Sequence, residues 1–330
     1  MLGLGDILRA RRNLGHLVRR TPLRYSYLLS QRVGSEVYLK LENWQETGSF
    51  KVRGAINKMA HLSAAEKARG TVAASSGNFA VGAAYAAQAL GGVPLSLFMP
   101  VSTPLSKVDK LREFDIEVFL DGNTYEEAYD ISAEFQQKHD KTYVHSYDDP
   151  LVVAGQGTVG LEIVEELPDV DAILVPIGGG GLIAGTAVAA KAMDPGIQII
   201  GVQAAASPSA YLSLREGRCY ERYETEQTIA EGLAGGFGIV PFQIARDLID
   251  EVVLITEEEI YEAIFTLLEL TQLVVEGSGA VGVAALLNGK VKLEGKKVAV
   301  ILSGGNIDAT LLLEIMRSVS ASRRRPIREH

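Results

Sequence analysis

Lys51 closes the run Thr47-Gly48-Ser49-Phe50-Lys51 and is the residue of this chain best suited to covalent chemistry. Ser49 offers a hydroxyl that can cap a helix, and Gly48 permits a tight entry, so Lys51 is expected in a first helical turn. The positive end of the helix dipole there favours a neutral amine. A neutral, oriented amine is the form that makes a Schiff base with a carbonyl. Most lysines on helices are solvated surface groups, so the stretch alone leaves both readings open.

Three more stretches could do chemistry with it. Gly178-Gly179-Gly180-Gly181 follows a buried apolar run and opens a helical one. Backbone N–H groups there can converge on an anion, with a phosphate as the natural guest. The run lacks the Lys-Ser/Thr of a Walker loop and the third glycine of the dinucleotide fingerprint. A tight packing turn is the alternative. Ser75-Ser76-Gly77-Asn78 joins a strand to a helix and can grip a carboxylate, or serve as a plain N-cap. Ser303-Gly304-Gly305-Asn306 is a third such turn. Ligands of parallel α/β sheets collect at the carboxyl ends of strands, so the turns imply one composite site. A Schiff-base lysine and a phosphate cradle in one site imply pyridoxal phosphate.

The elements that must position these turns read as alternating strands and helices. A helix is expected from about Asp6 to Val18, a strand over Glu36–Leu41, and a helix from Lys51 to about His61. Thr71–Ala74, Pro94–Met99 and Ile116–Leu120 read as strands. Helices are expected to about Leu90, over Pro104–Glu113 and over Tyr125–His139. The alternation resumes with a helix over Val152–Glu166, a strand over Asp171–Ile177, a helix to Met193 and a strand over Ile197–Val202. Glu251–Thr256 and Lys297–Leu302 complete the set, and Thr256 with Glu259 forms a capping box. This is the pattern of parallel sheets with crossover helices. The end from Ser318, with Arg323, Arg324 and Arg325, reads as frayed and solvated.

Composition narrows the class. The 330 residues, 47% hydrophobic and 22% charged, suit roughly two ordinary globular domains. A net charge of −9 argues against nucleic acid as a partner. The uncharged stretch Ala172–Ala190 is long enough for a membrane span, but Pro176 and four glycines break it into strand, loop and helix, so no membrane partner is expected. The lone Cys219 excludes a disulfide framework and fits a reducing, cytoplasmic setting. None of the five histidines pairs at metal-ligand spacing, and no targeting segment is expected, because Asp6 and the basic run Arg9, Arg11, Arg12 come with no apolar core of signal-peptide length.

Six motifs occur in a telling order: Ser49-Phe50-Lys51-x-Arg53-Gly54-Ala55, Ser76-Gly77-Asn78, Ala154-Gly155-Gln156-Gly157-Thr158, Gly178 to Leu182, Glu276-Gly277-x-Gly279-Ala280 and Ser303-Gly304-Gly305-Asn306. From Thr21 to about Leu313 the chain resembles the fold-type II pyridoxal-phosphate enzymes, in the threonine/serine dehydratase and serine racemase branch. The resemblance implies an α/β fold of the tryptophan synthase β-like kind, with two open twisted α/β domains and the cofactor between them. The large domain would hold residues 1–66 and 148–320, the small domain 67–147, and 321–330 would be a flexible tail. Lys51 would carry the cofactor and act as base at Cα. Gly178, Gly179, Gly180, Gly181 and Leu182 would bind its phosphate, Asn78 its phenolic oxygen and Ser303 its pyridine nitrogen. Phe50 would pack beside the ring, and Glu276 would line the pyridine edge or the substrate. Ser75, Ser76, Gly77, Asn78 and Phe79 would form the substrate side of the site. The implied reaction is β-elimination of an L-3-hydroxy amino acid to a 2-oxo acid and ammonia, by a homodimer or homotetramer.

Departures from the family pattern shape the alternatives. Phe79 stands where histidine is usual, which hints at an apolar contact. Ser76 is serine as in the racemases, where many dehydratases have alanine. A hydroxyl on the face opposite Lys51 raises racemisation as a second reading, with Ser76 as catalytic acid. Gln203, Ser207 and Ser209 replace the carboxylates that hold Mg²⁺ or Ca²⁺ in parts of this branch, so no strong metal site is expected. No appended regulatory domain is read, which favours a catabolic enzyme. A β-replacement synthase matches less well, and a non-catalytic phosphometabolite-binding protein is the alternative from another class.

Overall fold

The computed structural model describes residues 2–323. Among the described residues ten strands form two sheets. The first contains β1 (Leu23–Tyr25), β2 (Glu36–Lys40), β7 (Ala172–Pro176), β8 (Gln198–Ala204), β9 (Glu251–Ile255) and β10 (Lys297–Ile301), in the order β1-β2-β10-β7-β8-β9. Every pairing is parallel except β1 with β2. The second contains β3 (Thr71–Ala74), β4 (Leu95–Met99), β5 (Glu117–Leu120) and β6 (Thr142–Tyr143), all parallel, in the order β5-β4-β3-β6. The strands β3, β4 and β7 are buried at every residue, which explains their mostly apolar sequences, broken only by Thr71 and Ser96.

The helix that begins at Lys51 (Lys51–Ala60) joins the two halves. It packs against the helix Asn78–Ala89, which follows β3, and against the helix Pro150–Glu166 beside the larger sheet. The second contact is backbone to backbone: a side chain at Gly155 would sit 2.6 Å from the Arg53 carbonyl. Seven of its ten residues are buried, among them the charged Arg53.

Arg53 is fully enclosed and belongs to a neutral quartet of charges. Its guanidinium meets Glu42 at 2.8 and 2.9 Å and Glu162 at 2.7 and 3.0 Å. Lys40, also fully buried, reaches Glu162 at 2.7 Å and the Thr21 carbonyl at 2.5 Å. Burial alone opposes the charge on Arg53, and Glu42 with Glu162 outweighs it, so the guanidinium pKa is raised. Burial likewise pushes the Glu162 carboxyl up, but Arg53 and Lys40 hold it below the usual carboxylate range.

Several element ends depart from the sequence expectation. Ser49 does not cap the Lys51 helix. Phe50 occupies the cap position without a side-chain hydrogen bond, and the Ser49 hydroxyl is buried without a partner. Ser49 instead forms a β-bridge with Gly304, so tertiary pairing has displaced local capping. The first helix stops at Leu14, not Val18, because Gly15 turns the chain at φ 48°. The helix expected from Val152 starts at Pro150, since the Asp149 carboxylate accepts from the N–H groups of Leu151 and Val152. The frayed end expected from Ser318 is helical as far as Arg323, in the helix Ala309–Arg323. Arg323 meets Glu262 at 2.7 Å and Glu269 at 2.9 Å. Arg324, Arg325 and the rest of the expected tail lie outside the described residues.

Replacing Arg53 by Met would leave two carboxylates buried with Lys40 as their one remaining cation. Arg53→Met is expected to destabilise the fold by about 3–5 kcal/mol. Urea unfolding would show it as a lower midpoint at unchanged slope. A loss below about 1 kcal/mol would rule out the quartet as a structural anchor.

Candidate active site

The carboxyl ends of β2, β3, β7 and β10 open onto one cleft of about 1010 Å³. Phe50, Lys51, Ser75 to Phe79, Gly178 to Leu182, Glu276 and Ser303 all line it. The four turns singled out in the sequence, from Lys51 to Ser303, therefore meet in one place.

Lys51 is the first residue of its helix, and its amine donates to the Ser146 carbonyl at 3.3 Å. Desolvation lowers its pKa to about 8, with the Glu276 carboxylate acting in the opposite sense. Burial, rather than the helix dipole, is what makes a neutral amine accessible here. The Phe50 ring lies 5.2 Å from that amine. Glu276 stands at the cap position of the helix Gly277–Leu287, and desolvation raises its pKa to about 7 against hydrogen bonds from Asn78 and the Asn306 backbone.

The glycine turn is both packed and bare. Gly180 adopts φ 90° and caps the helix Gly181–Met193. A Cβ on Gly179 would enter the Tyr147 ring, and one on Gly180 would enter the Phe237 ring. Yet the N–H groups of Gly178, Gly179 and Gly180 reach no backbone carbonyl among the described residues. A helix N-terminus with free donors is a receptor for a phosphate. The turn is closely packed, and its free donors are of the kind that suit an anion.

Ser75 is nearly buried, and its hydroxyl accepts from the Gly77 N–H at 3.3 Å. Ser76 is half-buried and Gly77 exposed. Phe79 is 2% exposed and packs into the apolar core that contains Val52, Ile56 and Ala83, closing the cleft wall with hydrocarbon. Ser303 is 3% exposed, and its hydroxyl has only a long contact, 3.4 Å, to the Ser278 carbonyl. These donors suit a flat, anionic, phosphate-bearing cofactor.

Sequence reasoning missed the segment after β6. His145 lies beside Lys51, and burial pushes its imidazole down to about 4. Its Nδ1 accepts from the N–H groups of Tyr147 (3.2 Å) and Asp148 (2.7 Å), so the neutral ring carries its proton on Nε2. Tyr147 backs the glycine turn. No glycine marks this stretch, and its Asp149-Pro150 cap announces the next helix but says nothing of His145 or Tyr147. Gln203, Ser207 and Ser209, the positions weighed for a metal, are engaged with one another and with Gly235 and Thr225. Among the described residues no group of three or more His, Cys, Asp and Glu could hold a metal ion. The Cys219 thiol contacts the Phe237 carbonyl, and burial pushes its pKa up to about 11, which fits a structural thiol.

A family model described as "Pyridoxal-phosphate dependent enzyme" matches residues 14–304. The chain belongs to that family. An L-threonine ammonia-lyase of Thermotoga maritima is 51% identical over 317 residues, covering 96% of this chain and 78% of that protein. The catabolic L-threonine dehydratase TdcB of Escherichia coli K12 is 40% identical over 97% of this chain and 98% of its own length. The structure of maize serine racemase superposes with a TM-score of 0.89 at 32% identity, over 98% of this chain and 99% of that one. The fold is that of the fold-type II branch, and the enzyme depends on pyridoxal phosphate. Among the described residues no helix is long and apolar enough to cross a membrane.

Glu276→Gln removes the charge that raises the Lys51 pKa. The amine should then lose its proton below pH 8, and the pH midpoint for reconstituting apoenzyme with pyridoxal phosphate should fall with it. An unchanged midpoint would show that the two groups are not coupled.

Proposed function

We infer that this enzyme is an L-threonine ammonia-lyase, converting an L-3-hydroxy amino acid to a 2-oxo acid and ammonia. The observation that carries the reading is Lys51, an amine with its pKa lowered to about 8, in a cleft onto which the strand-to-helix turns Ser75–Asn78 and Gly178–Gly181 open. Relatives of 40% and 51% identity that bear this name support the choice of substrate.

Bound in the cleft, pyridoxal phosphate supplies an electron sink that makes the α-proton of an amino acid acidic. Gly178 to Gly181, with Leu182 behind them, receive its phosphate at a helix N-terminus. Ser75, Ser76, Gly77 and Asn78 receive the substrate carboxylate at another. Lys51 would hold the cofactor through its amine and would serve as the base toward Cα. Ser303 would meet the pyridine nitrogen with a neutral hydroxyl, which cannot keep it charged, and so would favour loss of the β-hydroxyl. Phe50 would pack beside the ring, Glu276 would border it, and Phe79 would give the substrate an apolar wall. Water then hydrolyses the released enamine to the 2-oxo acid and ammonia.

Racemisation is the second activity we propose, on the ground that Ser76 stands half-buried in the cleft and that maize serine racemase shares the fold. We further propose a cytoplasmic homodimer or homotetramer. The single free cysteine supports the first part, and the exposed Tyr25, Tyr27, Leu28 and Trp44 support the second.

Purified wild type should be yellow and bleach with borohydride, whereas Lys51→Ala should be colourless and release no ammonia. A panel of L- and D-3-hydroxy amino acids, assayed for ammonia and for the opposite enantiomer, tests the substrate; no ammonia from any member would sink the lyase reading. Ser76→Ala should abolish racemisation and spare elimination of the L-substrate. Equal loss of both would refute a two-face mechanism.

A further inference from the structure

Asn78 offers two chemically opposite ends to the cleft, and something must choose between them. Its side chain lies between Glu276 and Asn306: Nδ2 donates to the Glu276 Oε1 at 2.6 Å, and Oδ1 accepts from the Asn306 Nδ2 at 2.8 Å. Asn306 Nδ2 also donates to the Thr47 carbonyl at 2.9 Å. A backbone carbonyl can only accept, so the atom facing it must be the Asn306 nitrogen. The same nitrogen faces Asn78, so the near atom of Asn78 must be its oxygen. The Asn78 Nδ2 then points away, with one hydrogen on Glu276 and a second left for the cleft.

We propose that Asn306 is a positioning residue: it reads the Thr47 carbonyl and, through that contact, fixes the Asn78 amide with its N–H end toward the cofactor. The proposal rests on the pyridoxal-phosphate reading and adds to it a residue with no contact to the ring assigned above. Glu276 cannot do this work alone. With a pKa near 7 it is protonated in a large share of molecules at neutral pH, and a carboxyl group in that form donates as well as accepts. The Thr47 carbonyl has one role at every pH. Room for the device comes from Gly48, which holds φ 72° and whose missing Cβ would lie 2.7 Å from the Asn306 Oδ1.

An Asn78 N–H that donates to the cofactor's phenolic oxygen stabilises its deprotonated form. Asn306→Asp puts an acceptor against Asn78, turns its amide round, and aims a carbonyl at that oxygen. Asn306→Ala leaves the orientation unset and serves as the milder variant. Holoenzyme of each is titrated with pH while its visible absorption is followed, and pyridoxal-phosphate affinity is measured by reconstitution of the apoenzyme. The midpoint of the visible band should move upward, further in Asn306→Asp than in Asn306→Ala, with affinity falling about ten-fold for the loss of one charge-assisted hydrogen bond. In an Asn78→Ala background the same Asn306 substitutions should add no further spectral shift. A band that does not move, or one that moves equally with and without Asn78, overturns the proposal, even where thermal unfolding shows lost stability. A wild type that binds no pyridoxal phosphate fails at the earlier step, and its lack of colour separates that failure from this one.

Discussion

The site depends on one seam, where residues 47–50 lie against residues 303–306. The Phe50 N–H donates to the Ser303 carbonyl at 3.1 Å, the Gly305 N–H to the Gly48 carbonyl at 2.9 Å, and the Asn306 amide to the Thr47 carbonyl at 2.9 Å. Ser49 and Gly304 form a bridge in the middle. The bridge is antiparallel, whereas β2 and β10 pair in parallel up to Lys40 and Ile301, so the chain returns to the end of β10 through a separate contact. These contacts fix the entry to the Lys51 helix in the frame of the larger sheet, one residue before the amine. Because backbone groups make most of the seam, side-chain identity matters only where space is short. That explains why serine and glycine dominate both segments.

The other face of the same helix is held by charge. Arg53 follows Lys51 by two residues, so it points to the opposite side of the helix, into Glu42 and Glu162. Isolated buried charges are prohibitive, and a neutral, fully hydrogen-bonded quartet is tolerated. Its directional bonds leave the helix one rotational setting, which a greasy contact would not. Lys51 is thereby aimed by two unlike constraints, a backbone seam and a buried ion network. The amine itself carries none of the structural load, so it is free to change protonation state.

Much of the architecture was legible in the residues. Short buried apolar runs ending in Ser/Gly/Asn turns and followed by Ala- or Gly-rich helices predict parallel strands with their loops on one edge, and Ser75–Asn78, Gly178–Gly181 and Ser303–Asn306 fall there. Lys51 as a first-turn residue was legible too. What failed was local chemistry overruled by distant contacts. The Ser49 hydroxyl looks like a cap only until Gly304 takes its backbone. The Lys51 pKa looks like a dipole effect until the cleft walls, from four separate segments, are in place. His145 and Tyr147 were invisible for the same reason: their function is to fill the space behind a turn some thirty residues away, and nothing in their own neighbourhood records it.

Rigidity is distributed unevenly around the cleft. The floor is backbone seam, close helix packing and buried ions, whose disruption carries the full desolvation penalty of each group. The mouth is closed differently, by Lys107 with Glu231 and by Arg222 with Asp130, which tie the half built on β3 to β6 to the loop that contains Tyr223 and Gly235. Both pairs are largely exposed, and exposed pairs contribute about 0–1 kcal/mol each. Opening the mouth is therefore cheap while moving the floor is not. The rim is thus held far more weakly than the floor around Lys51.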